Sequence, residues 1–401
     1  MKKEIVITGI GVVAPNAIGR DHFLRALQEG VSGIDEIKAF DTKDYPVHRG
    51  GEVKGLETID FGFELSAYLG RTARLALVAA HEAIAEAKLL AGSLDPKRIG
   101  VILGTTSGEA QAIETVDEAW ALGKQEQLLP DIYADFSSNI VASSISSIFG
   151  FAGPTMMLAN ACSSGNFAIS FGGEMIRQGE ADIIIAGGCD AFSKVAFAGF
   201  GSVHAIAPEI CQPFDRNRRG MMVSEGAGVV ILEERHQAER RGAEIYATIL
   251  GSGLGCDAFH LTAPDPEGMA NVMRLALKDA GLASSEVGYI NAHGTGTTIN
   301  DASETDAIKR VFADHAYRIP VSSIKSMIGH TMGAASAIET IACCLALQHE
   351  FLPPTINYQE PDPQCDLDYV PNRARFQRVD VIMNNSFAFG GNNASLILGR
   401  S

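Results

Sequence analysis

The sequence predicts an α/β sandwich made of two successive halves, each with strands inside and helices on both sides. Three observations carry that expectation. Apolar β-rich runs alternate with helical patterns along the chain, in the manner of a parallel sheet. Forty-two glycines against fifteen prolines stand at the ends of apolar runs, where tight turns follow strands. Each half also holds a helix of small and apolar residues on every face, which belongs in an interior. One begins at Cys162 and the other at His330.

In chain order, residues 4–13 read as a buried strand ending in a glycine turn, and 21–30 as a short helix closed by Gly30. Residues 34–56 are irregular and polar. A helix over 63–90 carries Arg71 and Arg74 and stops at 92–96, where glycine and proline break the pattern. Strands at 99–103, 155–159, 182–186 and 226–234 complete the first half, 1–242. The second half, 243–401, repeats the theme: strand 245–251, helix 268–280, strand 287–292 ending in His293, helix 303–312, strand 320–323, helix 333–347 and a strand pair at 379–384 and 394–398. The repetition hints at an internal duplication. It would sandwich the two small-residue helices between two sheets and bring Cys162, His293 and His330 to one site.

Composition narrows the function classes. The 401 residues are long enough for one large α/β unit or two or three average domains, with 46% hydrophobic and 20% charged residues. A formal net charge of −16 argues against a nucleic-acid or anionic-membrane partner, both of which need a basic footprint. The N-terminal apolar stretch is too short for a signal sequence and no later run reaches a membrane span, so the expected location is the cytoplasm. Seven cysteines without a CxxC pair, in a chain this large, point to reduced thiols, with no disulfide framework and no metal site.

The chemistry centres on Asn160-Ala161-Cys162-Ser163-Ser164-Gly165. A thiol at the start of a helix faces free N–H groups and a positive dipole end, which favour the thiolate, so Cys162 is a candidate covalent nucleophile. On this stretch alone, an ordinary small buried cysteine is the alternative. His293 lies in Asn291-Ala292-His293-Gly294-Thr295-Gly296-Thr297, whose hydroxyls can line a tunnel for an amide-rich ligand arm. His330 lies in Ile328-Gly329-His330-Thr331, with Lys325 and Glu339 on either side in sequence. A cysteine with one histidine fits a protease, a transglutaminase or an acyl transferase. The second histidine favours acyl chemistry, because neutral imidazoles can donate Nε2–H to a carbonyl oxygen that becomes an enolate. The loop at 384–393, with Phe387, Ala388 and Phe389 before a glycine pair, lacks the helix and lysine of a phosphate cradle. Its N–H groups can complete an oxyanion hole with Cys162, or it is a plain hairpin with core aromatics.

The motifs ACSSG, ADIIIAGGCDA, PFDRNRRGMMVSEGAGVVILEE, NAHGTGT, SSIKSMIGH, LPPTINY and NSFAFGGNN stand in order along the chain. Over nearly its whole length, the sequence resembles the decarboxylating β-ketoacyl-acyl carrier protein synthases of type II fatty acid and polyketide assembly. The resemblance implies the thiolase fold, a duplicated α-β-α-β-α five-layer sandwich, in a dimer. It further implies a ping-pong Claisen condensation in which Cys162 takes an acyl group from a carrier-protein thioester. Malonyl-carrier protein then loses CO₂ with the help of His293 and His330, and the carbanion attacks the Cys162 thioester. In the same resemblance Cys162 and Phe389 supply the oxyanion hole and Lys325 and Glu339 a supporting ion pair. Thr295, Thr297 and Thr262 hold the phosphopantetheine arm, and Ser107, Phe200, Met221, Phe387 and Phe389 shape the acyl pocket and its gate. No cofactor is implied beyond the arm that arrives on the carrier. For docking the acidic carrier, Arg71, Arg74 and Lys124 are the candidates.

The chain departs from the family pattern at Ala388, Asn392, Met221 and Ser107, all expected near the acyl site, and at His204, where arginine is common. These departures bring forward a specialised polyketide or polyene pathway, in which a catalytic subunit pairs with a non-catalytic chain-length-factor homologue. A chain-length factor itself lacks the nucleophile, degradative thiolases use a second cysteine, and initiating synthases replace one histidine. Here Cys162, His293 and His330 are all present.

Overall fold

The computed structural model describes residues 3–59, 69–91 and 94–401. Ten strands form one hydrogen-bonded path. In chain order they are β1 (Ile5–Ala14), β2 (Ile99–Gly104), β3 (Thr155–Leu158), β4 (Ile183–Asp190), β5 (Gly226–Glu234), β6 (Ala247–Cys256), β7 (Tyr289–Asn291), β8 (Val321–Ser322), β9 (Val381–Phe387) and β10 (Asn392–Gly399). The first five lie in the order β1-β5-β4-β2-β3 and the second five in the order β6-β10-β9-β7-β8, so each strand has a counterpart five places on. Strand directions repeat as well. β2 is parallel to β3 and β4, β7 is parallel to β8 and β9, and the pairs β4–β5, β5–β1, β9–β10 and β10–β6 are antiparallel. Each half-sheet is therefore mixed rather than parallel. The last strand of each half pairs antiparallel with its neighbour, after a short connection between β9 and β10 and after a long one, holding the helix Lys194–Ser202, between β4 and β5.

The halves meet through β1 and β6, antiparallel over Ile5–Ile7 against Ala247–Ile249. This short seam joins what the sequence predicted as two separate sheets. Six main helices complete the layers: α1 (Arg71–Glu86), α2 (Asn139–Phe149), α3 (Ser164–Gln178), α4 (Pro266–Ala280), α5 (Thr298–Phe312) and α6 (Ala335–His349). Helices α3 and α6 lie between the half-sheets, each touching strands of both, while α1 and α2 cover the outside of the first half-sheet and α4 packs on β6 and β10 with α5 against it. The result is the five-layer α-β-α-β-α sandwich.

Composition explains the middle layer. Every residue of α6 from Ala335 to Leu347 is buried, and its alanines leave room for a second helix. A Cβ on Gly165 would stand 2.7 Å from the Ala337 backbone nitrogen, so only glycine lets α3 approach α6 this closely. A polar cluster ties them to β9: Asn384 Nδ2 donates to Ser336 O at 3.0 Å and Thr340 Oγ1 at 2.9 Å, and the Asn166 N–H donates to Ser336 Oγ at 2.9 Å. Buried polar atoms satisfied this way fix one register between the helices.

Several sequence boundaries shift. The helix expected over 63–90 is α1, and its expected first turn, 63–68, lies outside the described residues. The strand at 155–159, expected to be buried, is the edge strand β3, with all four residues half-buried. Its apolar sequence carries no sign of which side meets solvent. The helices at Ala110–Ala121, Asn139–Phe149 and Lys194–Ser202 were not anticipated. Among the described residues no helix is long and apolar enough to cross a membrane.

Candidate active site

Cys162 sits in a single 3-10 turn, Ala161–Ser163, that leads directly into α3. Ala161 takes a left-handed φ of 51°, unusual for a residue with a Cβ and worth roughly 1–3 kcal/mol of strain. The hydroxyls hold the turn: Ser163 Oγ donates to Asn392 O at 2.8 Å, and Ser164 Oγ donates to Thr105 O at 3.0 Å. The sulfur is almost wholly buried and faces the backbone N–H groups of Phe389 and of Cys162 itself. The helix-start argument predicts an easily ionised thiol, and here the structure differs. Burial pushes the Cys162 thiol up to about 11, against the opposing influence of Lys325 and the two N–H groups. Desolvation of the charged form outweighs the dipole.

His293 follows β7 and His330 follows the short helix Lys325–Ile328. Their rings stand 5.4 Å apart and nearly perpendicular. Burial, with the Lys325 ammonium nearby, holds both imidazoles well below their ordinary value, so both are neutral near pH 7. The N–H of Met332 donates to His330 Nδ1 at 3.1 Å, and this bond places the proton of the neutral ring on Nε2. His293 Nδ1 has no hydrogen-bond partner among the described residues. The backbone of His293 is held by Glu304, whose carboxylate accepts the N–H groups of His293 and Gly294, each at 2.8 Å. Lys325 and Glu339 form a fully buried ion pair. Burial pushes the Glu339 carboxyl up to about 7, with the ammonium opposing.

These groups converge on a cavity of about 240 Å³. Cys162, His293 and His330 line it, as do Thr262, Thr295, Thr297, Phe200, Met221, Phe387 and Phe389. Thr295 and Thr297 bond through their hydroxyls at 2.9 Å, and the Phe200 and Phe389 rings are 5.7 Å apart. At the mouth Val203, Leu261 and Ile299 are 50%, 71% and 59% exposed. Ser107 lies outside this cavity and is half-buried, its N–H donating to Asp190 at 3.0 Å.

The docking candidates are placed differently from the sequence expectation. Arg71 is committed inside the protein: Nε and Nη2 grip the buried carboxylate of Glu225 at 2.8 and 2.6 Å, and Nη2 also donates to Val53 O. A buried carboxylate needs that charge, so little of it is offered outward. Arg74 donates to Leu69 O at 2.8 Å, and Lys124 is exposed on a turn. None of the three lines the cavity.

Three residues were missed. Glu304 carries the His293 turn. Arg219, exposed, lines the cavity wall. Buried Asp190 accepts the N–H groups of Thr106 and Gly333 at 2.7 and 2.6 Å, tying the loop after β2 to the turn after His330. An acidic residue at the end of a buried strand, or inside a helix after a glycine-rich turn, is the signal that was available.

Residues 2–238 match the family model of the beta-ketoacyl synthase N-terminal domain, and residues 246–359 that of its C-terminal domain. The chain is 38% identical to the 3-oxoacyl-[acyl-carrier-protein] synthase 2 of Synechocystis sp., over 98% of this chain and 97% of that one. Among solved structures, the ishigamide ketosynthase/chain length factor superposes with a TM-score of 0.96 at 39% identity, each chain covered in full. A type II polyketide synthase acyl-carrier protein in complex with its ketosynthase, bound to the hexaketide, gives 0.93 at 32%, again over both whole chains.

Proposed function

The chain belongs to the β-ketoacyl synthase family, and from that premise we propose how its own residues carry out the condensation. The reaction class is that of a 3-oxoacyl-acyl carrier protein synthase, a decarboxylative Claisen condensation in fatty acid or polyketide elongation. Cys162 Sγ attacks the carbonyl carbon of an acyl thioester, and the arm's thiol leaves with the proton. The oxygen that gains charge is met by the N–H groups of Cys162 and Phe389, which already face the sulfur. A malonyl thioester then enters, the bond to its carboxylate breaks, and CO₂ departs. The electron pair stays on the methylene carbon as an enolate, whose oxygen accepts a hydrogen bond from the His330 Nε2–H, with His293 beside it. The carbanion attacks the Cys162 thioester, a carbon–carbon bond forms, and the Cys162 thiolate leaves and takes a proton from water to restore the thiol.

The observation that carries this reading is one cavity in which a thiol, two N–H donors and two neutral imidazoles meet. With Nδ1 accepting the Met332 N–H, the neutral His330 ring offers an Nε2–H donor, which suits an enolate oxygen, whereas activating water calls for an unprotonated ring nitrogen. Lys325 and Glu339 hold the electrostatics around both rings. Thr295, Thr297 and Thr262 line the path of the incoming arm, and the carrier protein seats on the apolar mouth. The phosphopantetheine arm is the only prosthetic group this chemistry draws on, and the cytoplasm is where its carrier would be met. Incubation with an acyl-carrier protein should add one acyl group to the protein by intact-mass measurement, and Cys162→Ala should lose it, with condensation down by a factor on the order of 10³ or more. An acyl adduct that survives in Cys162→Ala sinks the assignment.

The position of β3 supports a dimer. It is an edge strand with one side unpaired among the described residues, and the exposed Ile148 lies on α2, which packs against it. Such an edge invites pairing across a two-fold. The likeness to the ishigamide ketosynthase/chain length factor favours a homologous non-catalytic subunit as that partner. Native mass measurement of the chain alone and with its homologue tests this, and a stable homodimer that refuses the homologue rejects it.

A further inference from the structure

The cavity wall carries a charge pattern opposite to that of the protein. The chain has a formal net charge of −16, yet among the described residues that line the cavity none is Asp or Glu. The lining instead contains Arg219, with His204 and His260 beside the mouth. Such a wall attracts an anion.

Arg219 differs from its neighbours in having its charge free. Arg216 pairs with Glu360 at 2.7 Å, and buried Arg218 pairs with Asp301 and Asp362. Arg219 is exposed and has no ion-pair or hydrogen-bond partner among the described residues. Its backbone is nonetheless held firmly. The Gly220 N–H donates to Gly296 O at 2.9 Å, and the Met221 N–H donates to Ala205 O at 2.9 Å. A Cβ on Gly220 would stand 2.4 Å from Ala205 O, so the strand of chain that follows Arg219 is pressed against the cavity wall. The guanidinium thus hangs from a fixed anchor beside Thr295-Gly296-Thr297.

We propose that Arg219 binds the phosphodiester of the phosphopantetheine arm while the arm's thioester lies at Cys162. This rests on the reading that carrier thioesters enter by this cavity. The far end of the arm is its one anionic group, and a guanidinium fork matches phosphate oxygens in pairs. An exposed arginine gains little from a free anion in water. A phosphate tethered to a thioester already threaded into the cavity arrives at high effective concentration, so the contact adds to binding without having to capture the ligand unaided.

The test uses the full chain and two small probes, an acyl-phosphopantetheine thioester and the same acyl-pantetheine thioester without phosphate, with Cys162 acylation followed by intact mass. The wild-type protein should prefer the phosphorylated probe by about fivefold, the upper end for an exposed ion pair, and the preference should shrink as ionic strength rises. Arg219→Gln should bring the ratio to about one, Arg219→Glu should invert it, and Arg219→Lys should retain part of it. A preference unchanged in Arg219→Gln and Arg219→Glu overturns the proposal while leaving Cys162 acylation standing. So does an effect of Arg219→Gln seen only with carrier-linked substrate, which would assign the arginine to carrier carboxylates. If neither probe acylates Cys162, the functional reading fails and this inference fails with it.

Discussion

The two halves share a strand order and a buried helix, yet the same turn does different work in each. In the first half, Ala161 at φ 51° opens the 3-10 turn Ala161–Ser163 and α3 begins at Ser164. In the second, Met332 at φ 53° opens the turn Met332–Ala334 and α6 begins at Ala335. Aligned on these turns, the counterpart of Cys162 is Gly333, and His330 stands three residues earlier in the chain. The duplication did not place two reactive residues at equivalent points. It placed the proposed nucleophile in one turn and a packing contact in the other.

Gly333 shows why. A Cβ there would stand 2.6 Å from Thr106 N and 2.7 Å from Asp190 Oδ2, so a side chain at this point collides with the acid that ties the two halves together. The first half gives its turn to the thiol proposed as nucleophile. The second spends it on fixing the His330 loop, and the N–H of Met332, from the strained residue itself, orients the imidazole.

The comparison can be broken at His330, where the largest effect is expected. His330→Ala should slow malonyl-thioester decarboxylation on the order of 10²-fold, the usual cost of one donor to a developing oxyanion. In the wild type, both imidazoles are held below their ordinary value by burial, so the neutral donors persist as pH falls. The acid limb of decarboxylation should therefore lie below pH 6.5; a limb above that value would show charged rings at the site. A smaller effect is expected at the paired turns. Gly333→Ala should lower stability by about 1–3 kcal/mol through overpacking, read in a thermal melt. Ala161→Gly, the same kind of swap in the other turn, should stay within about 0.5 kcal/mol, since relief of left-handed strain offsets the added freedom of the unfolded chain. Equal costs at both positions would contradict the division of labour.

Much of this arrangement is legible in the residues themselves. The strands of each half read as apolar runs closed by glycines. Helix α6 reads as interior because its residues, small or apolar from Ala335 through Ile338 and again from Ile341 to Leu347, leave no continuous polar face. Cys162, His293 and His330 stand out because each occupies a turn at the end of an apolar run, with glycines beside the two histidines. Less visible is anything set by partners distant in sequence. Arg71 looks like a free surface charge until Glu225 is seen beneath it, separated by 154 positions. β3 looks like any buried strand until, among the described residues, its neighbour is found on one side only.

The sequence alone determined the composition of the middle layer and singled out the three residues proposed to react, because residue size and turn chemistry are local properties. The tertiary structure decided which charges are free. It gave Arg71 to Glu225 and left Arg219 open at the cavity wall. It also decided the state of the thiol, where burial of Cys162 overrides the helix start that favours its anion. Both outcomes depend on what lies within a few ångströms, since desolvation and Coulomb attraction act through space and not along the chain.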